Sequence, residues 1–236
     1  QTAKPFSVFR RVNLDFNQFT SFDFENNHNR TQYRFRPRIT FLNNSKISVG
    51  ITHRPRIYKN AELRGGPRWR FSEENSESLF FNSDDRKKFN FKTGVVHSKL
   101  KENNGSFLKF ELDFNYQIID ALNFTLSTEF SKRFSQTQYI TQKEFLTFNR
   151  YILGSIDNQT LQSTLRINYS LSPNISIQYY AQPFISKGKY SNFKYVTNAT
   201  ADLLQDRFQL YENPQIQYNN DTYSFDDNLD LSLIHI

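Results

Sequence analysis

From Phe107 to Ile118 the chain reads FLKFELDFNYQI, with an apolar residue at every second position, and this period returns along most of its length. Successive side chains of a β-strand point to opposite faces, so strict alternation marks a strand with one apolar and one polar face. Here Leu108, Phe110, Leu112, Phe114, Tyr116 and Ile118 oppose Lys109, Glu111, Asp113, Asn115 and Gln117. Leu122–Phe134, Leu161–Leu171 and Ile175–Ala181 repeat the scheme, as do Tyr33, Phe35, Ile39 and Phe41 against Arg34, Arg36, Arg38 and Thr40. Weaker copies lie at Val12–Phe24 and Phe89–His97. The pattern predicts about nine or ten antiparallel strands and no helix.

Composition narrows the solvent such strands face. Only 37% of the 236 residues are apolar and the mean hydropathy is -0.71, yet 17% are aromatic. Disordered chains of this polarity are poor in aromatics, which argues for a folded chain. No segment approaches the roughly 20 apolar residues of a spanning helix. The chain holds no Cys, which removes disulfides, thiolate metal sites and cysteine nucleophiles. It also holds no Met, and is expected to be a mature or partial chain. The net charge of +7 is uneven, with +10 in residues 1–100 and -3 in residues 101–236. No nucleic-acid motif accompanies the basic half, and its Lys and Arg are interleaved singly with aromatics, so no nucleic-acid partner is expected.

Connections of two kinds separate the alternating segments. Asn43-Asn44-Ser45, Asn103-Asn104-Gly105, Asp120-Ala121 and Ser172-Pro173-Asn174 are short and rich in turn residues. Arg54–Pro67, Ser135–Ser155 and Lys187–Tyr223 read as long polar loops. Short turns alternating with long loops, and segments of about 11–13 residues, fit a transmembrane β-barrel better than a soluble sandwich, whose strands average about 5–6. Tyr33, Phe41, Phe107, Tyr116, Phe134, Tyr169 and Tyr179 lie near segment ends, where interfacial aromatic girdles are expected. The expected fold is therefore all-β, an antiparallel transmembrane barrel or part of one, with short periplasmic turns and long extracellular loops.

A more specific signal lies in residues 150–195. The Gly154-Ser155-Ile156-Asp157 approach, the strand Leu161–Leu171, the Ser172-Pro173-Asn174 turn, Tyr180-Ala181-Gln182-Pro183-Phe184 and Ser186-Lys187-Gly188 together resemble the C-terminal region of the DUF5916 family, as does Leu63-Arg64-Gly65-Gly66-Pro67. The resemblance implies a large outer-membrane protein of Bacteroidota whose upstream part is similar to a family 9 carbohydrate-binding module. It implies a membrane address and no particular reaction. Residues 1–230 are read as the barrel fragment. The final Leu231–Ile236, LSLIHI, leaves the pattern and reads as the translation of a sequencing adapter, a non-native tail.

Few residues suggest chemistry. Arg34, Arg36 and Arg38 share the polar face of one segment, and Arg166 lies on another. In a barrel they would face the lumen, either favouring anionic solutes or pairing with Asp15, Asp23 or Glu25. His28, His53, His97 and His235 lie far apart, with no metal-pair spacing and no triad. Asp84-Asp85 and Asp226-Asp227-Asn228 lack the spacing of a calcium loop and read as solvated turns. No metal, cofactor or catalytic residue is therefore expected. Tyr139, Phe145, Phe148, Tyr151, Tyr190, Phe193 and Tyr195 lie among polar residues of the long loops, where rings either stack on a glycan or fold the loop onto the barrel mouth.

The expected role is transport or surface binding of a carbohydrate-related or other nutrient ligand in the bacterial outer membrane, without chemistry of its own. The partners would be lipid, a glycan or small solute, and a surface lipoprotein. A TonB-dependent transporter barrel, a barrel-rim hydrolase and a soluble glycan-binding sandwich are the alternatives.

Overall fold

A computed structural model describes residues 5–145, 148–219, 222–226 and 233–235. The alternating segments form β1 (Phe9–Phe22), β2 (His28–Phe41), β3 (Lys46–Lys59), β4 (Trp69–Phe71), β5 (Glu74–Asn82), β6 (Phe89–Leu100), β7 (Gly105–Ile119), β8 (Leu122–Phe145), β9 (Phe148–Ser172), β10 (Ile175–Ala181) and β11 (Phe184–Val196). The short strands β12 (Phe208–Leu210), β13 (Ile216–Asn219), β14 (Thr222–Asp226) and β15 (Leu233–His235) follow.

The main sheet is an antiparallel meander, β1-β2-β3-β5-β6-β7-β8-β9-β11-β12, with β10 also on β9 and β4 also on β3. Both β10 and β11 pair with β9 in one continuous register, Ala181 opposite Leu165 and Phe184 opposite Gln162. They are one strand interrupted at Gln182-Pro183, so nine long strands run side by side, in line with the alternation. The sheet is open: among the described residues β1 forms one edge and β10–β11, with β12 on the cap end of β11, the other, and the two edges do not pair with each other.

Register places the apolar series of every strand on one face. Phe16 lies opposite Phe35, Phe35 opposite Ile51, Leu79 opposite Val95, Val95 opposite Phe110, Phe110 opposite Phe130, Phe130 opposite Leu161, and Leu161 opposite Ile185. A one-residue slip in any pair would carry a whole strand's apolar set to the other face, so this agreement is demanding. Register shifts occur only near the strand ends and in the upper halves of β8 and β9, leaving the belt unbroken. Nothing among the described residues covers this belt. Phe16 is 69% exposed, Phe184 70% and Ile185 73%.

Three sequence expectations are corrected at the opposite end from the Asn43–Ser45, Asp120–Ala121 and Pro173–Asn174 turns. Asn103-Asn104-Gly105 is short, yet strand alternation puts it at the far end, with the longer connections. Residues 135–155 are strand for most of their length, because β8 and β9 extend over 24 and 25 residues. Likewise Arg54 lies within β3 and Lys187 within β11. The long polar loops are thus largely protruding strands plus a folded cap. Bulges between Ser135 and Gln138 and between Tyr139 and Thr141 mark where β8 bends into that cap.

The cap holds the buried core. Leu63, Trp69, Leu153 and Ala199 form one cluster, with Tyr139, Tyr151, Val196 and Phe208 packed against it. Ile152, Phe193, Tyr195, Tyr211 and Phe225 form a second, under the small β13-β14-β15 sheet. Leu233–His235, set aside above as foreign, pairs with β14. The other residues of that tail lie outside the described ones, as do Asp227 and Asn228.

Candidate functional site

The polar face opposite the belt carries the candidate site, and its charges divide it in two. On β6–β8 they neutralise one another. Lys109 Nζ lies 2.9 Å from Glu111 and 3.3 Å from Glu129, and Lys92 pairs with Glu111 and lies 3.8 Å from Asp113. On β1–β3 the basic residues exceed the acids. Arg38 donates to Asp15 at 2.7 Å and Arg36 lies 3.9 Å from the same carboxylate. Arg34 faces Asn17 and Thr52 across the sheet, and its Nε is buried without a hydrogen-bond partner. Asp15 is thus the partner the sequence suggested, whereas Asp23 and Glu25 belong to the β1–β2 connection. There Asp23 accepts from the Asn27 and Glu25 amides at 2.8 and 3.0 Å and from Asn60 at 3.1 Å. Led by the Asn60 bond, these hold its carboxyl down at about 2. Arg166, far across the sheet, lies 5.1 Å over the Tyr180 ring.

Between these regions, beneath the cap, the polar face forms a cavity of about 320 Å³. It is lined from Arg30 of β2, through Arg54, Ile57 and Lys59 of β3, to Phe107 of β7 and Arg133 of β8. Five strand spacings of about 4.8 Å separate β2 from β8 in a flat sheet. For both to line one cavity, the sheet must curl toward its polar face. Gly50 and Gly94 lie on that inner face, and a Cβ on Gly94 would come within 2.1 Å of the Phe80 ring.

Four cations and one carboxylate line this cavity. Glu74 is taken by Arg54 at 2.8 Å, and Arg54 Nε also donates to Gln32 at 2.8 Å. Lys59 lies 3.3 Å from Glu62 and 4.7 Å over the Phe71 ring. Arg133 sits 5.4 Å over Phe107, and Arg30 sits 5.2 Å over Phe19 with its Nε buried and unbonded. Sequence reading missed these four. Arg30 shares the parity of Arg34, Arg36 and Arg38, and that signal was available. Arg54 and Lys59 fell in the presumed loop, and Phe107, expected at an interfacial girdle, lies on the polar face opposite Ser98 and Arg133.

The roof of the cavity is held by hydrogen bonds between connections distant in sequence. Arg207, 1% exposed, donates to the carbonyls of Ala201, Asp202 and Arg70 at 2.8, 2.7 and 3.2 Å. Glu102 accepts from the Leu204 amide at 2.7 Å and from Ser72 at 2.8 Å, Asn104 donates to Ser72 at 3.2 Å, and Arg70 pairs with Asp202. Burial pushes the Glu102 carboxyl up, but the Leu204 and Ser72 bonds with the Arg207 and Arg70 charges outweigh it and hold it below the ordinary value. Lys194, also within the cap, donates to Ser155 at 3.3 Å, and burial draws its ammonium down to about 8.

The loop aromatics divide between this roof and the surface. Phe193 and Tyr195 are 8% exposed in the cap core, and Tyr139 and Tyr151 pack against the Trp69 cluster, so these four fold the cap. Phe148 and Tyr190 are exposed. Phe145 ends β8, and its side chain lies outside the described ones. Among the described residues no group of three His, Asp or Glu side chains is placed to hold a metal ion. Asp84 is buried in its turn, bonded by Arg86 and Asn44. His97 faces Glu77 at 3.1 Å and His53 bonds Asn75 at 2.8 Å, both on the belt face at its cap-side border.

No curated protein and no solved structure matches the chain. A family model described as a domain of unknown function, DUF5916, matches residues 1–234. The sheet, its cap and the cavity between them all lie within that match, and the chain belongs to the DUF5916 family.

Proposed function

We propose that this chain is part of an outer-membrane β-barrel that passes or binds a nutrient solute, carbohydrate-related or otherwise, along its polar face. The observation that carries the reading is the uncovered apolar belt crossing all nine long strands. On β9 it runs from Leu161 to Leu171, ten steps, or about 33 Å along the strand. At a strand tilt of about 40° this projects to about 25 Å, the height of the apolar band of outer-membrane barrels. Its borders suit the same setting. Toward the turns Phe89, Phe91, Phe114 and Tyr116 cluster, with Phe89 centred 6.0 Å from both Phe114 and Tyr116. Toward the cap the same face turns polar at His53, Glu77, His97, Lys132 and Gln159.

In lipid the free backbone groups of β1 and β10–β11 need partners, so these edges would meet each other or further strands. The polar face would then enclose a wet lumen, with the Arg30–Arg133 cavity just inside its mouth. The test is electrophoresis of the full-length gene product in SDS, unheated and boiled. A folded barrel migrates faster until heated and stays with membranes through alkaline extraction. A single mobility together with release into the aqueous fraction would overturn the reading in favour of a water-exposed sheet.

A further inference from the structure

The cavity beneath the cap holds more positive charge than the protein satisfies. Glu74 is committed to Arg54 and Glu62 to Lys59. Arg30 and Arg133 make no ion pair among the described residues, and Arg30 Nε is buried with no acceptor. The buried, unpaired Arg30 Nε costs free energy that an anion in the cavity would recover, and Arg133, exposed and without an ion-pair partner among the described residues, is open to the same anion. The guanidinium fork is shaped for carboxylate or phosphate oxygens, which it can hold through two parallel bonds. The rest of the lining is not suited to a bare ion. The rings of Phe71 and Phe107 and the side chains of Ile57 and Leu100 give the cavity an apolar wall. Its 320 Å³ is at the lower end of the small-molecule range.

We infer that this cavity binds a small organic acid, its carboxylate or phosphate held by Arg30 and Arg133 while its body lies against Phe71 and Phe107. The inference deepens the proposed function by giving the solute a charge and a size, and rests on that reading only for the route by which the solute arrives. Mid-face charges on β6–β8 are paired among themselves, so they do not compete for the ligand.

The experiment is isothermal titration calorimetry on the full-length gene product in detergent, with glucuronate, glucose 6-phosphate and glucose as probes. These share a sugar ring and differ in its charge. Binding of glucuronate or glucose 6-phosphate with little binding of glucose is expected, and the tighter of the two names the oxyanion. Arg30→Gln and Arg133→Gln should each weaken that binding at least tenfold. Arg133→Lys, which keeps the charge and loses the fork, should weaken it less, and Lys46→Gln at the turn end should leave it unchanged. Heat-dependent mobility of each variant reports that it folds. Glucose binding as well as the acids, no binding of any probe, or unchanged affinity in folded Arg30→Gln and Arg133→Gln proteins would overturn the inference. A heat-modifiable protein that binds nothing would sink the anion site and spare the barrel. Binding without heat-modifiability would do the reverse.

Discussion

The cap and the belt are made from the same strands, yet they obey different rules of burial. In the cap, Trp69 and Leu153 are fully buried and the polar groups around Arg207 bond one another, as in the interior of a water-soluble domain. Eight residues farther along β9, Leu161 and its β11 neighbour Ile185 lie open on a face that nothing among the described residues covers. A soluble chain does not leave an apolar face of nine strands exposed, since patches beyond a few hundred Å² mark contact with a partner or a membrane. If the belt faces lipid, as proposed above, the difference teaches that β8 and β9 pass from one solvent to another along their length. The bulges of β8 sit at the border between the two.

The comparison breaks most readily at the buried end. Leu153→Ala opens a cavity in the Trp69 cluster and is expected to cost about 2–5 kcal/mol. Trp69 is the single tryptophan, so its emission during urea unfolding in detergent reads cap stability directly. Ile185→Ala, at a site 73% exposed, should cost under about 1 kcal/mol in the same assay. Equal costs at the two sites would mean that cap and belt are not distinct. Next comes the belt in its own solvent. Phe110→Arg, between Val95 and Phe130, should cost about 2–4 kcal/mol when refolding into lipid vesicles is followed against urea. Ser127→Arg, on the polar face of β8, should change stability by only about 0.5 kcal/mol. A tolerated Phe110→Arg in vesicles would remove lipid from the argument.

The belt was legible in the sequence because its period is exact and local: parity alone puts Leu108, Phe110 and Leu112 on one face and Lys109 and Glu111 on the other. The cap was not, because Leu63, Trp69, Leu153 and Ala199 follow no period and meet only through the fold. Arg70 and Asp202, which tie it together, are 132 residues apart. The upper half of β8 read as loop because its bulges shift the register and erase the alternation. The basic cavity was half legible. Arg30 continues the parity of Arg34 and Arg54 that of Thr52, but between Thr31 and Tyr33 the β2–β3 register shifts, with Arg54 and Pro55 on the bulged side, so Lys59 beyond them lost its phase. Arg133 needed the curl of the sheet to meet them, and curl leaves little trace in one strand's pattern.

A smaller effect is expected on the inner face at Gly94. A Cβ on Gly94 would come within 2.1 Å of the Phe80 ring, so Gly94→Val overpacks the inner face and should cost about 1–3 kcal/mol. Phe80→Ala in the same chain should recover part of the loss, a coupling that urea titrations of the single and double variants measure. Additive losses would place the strain elsewhere than in the contact of β5 with β6.

The smallest expected effect is a pH dependence confined to the cap. Glu102 is held below the ordinary glutamate value of 4.5, so the folded cap favours its charged form. A depressed folded value means that the carboxylate's contribution is present above the unfolded value and is lost as pH falls through the folded one. Acidification below 4.5 should therefore loosen the Glu102–Leu204–Ser72 junction and move Trp69 emission to the red, while the belt, with its apolar side chains, keeps its strand signature. Glu102→Gln cannot titrate and should flatten that emission change, at the cost of a weaker cap at neutral pH. If the emission of Glu102→Gln still shifts over the same acid range, the cap is titrated by another carboxylate. Asp202, paired with Arg70, is the next to replace.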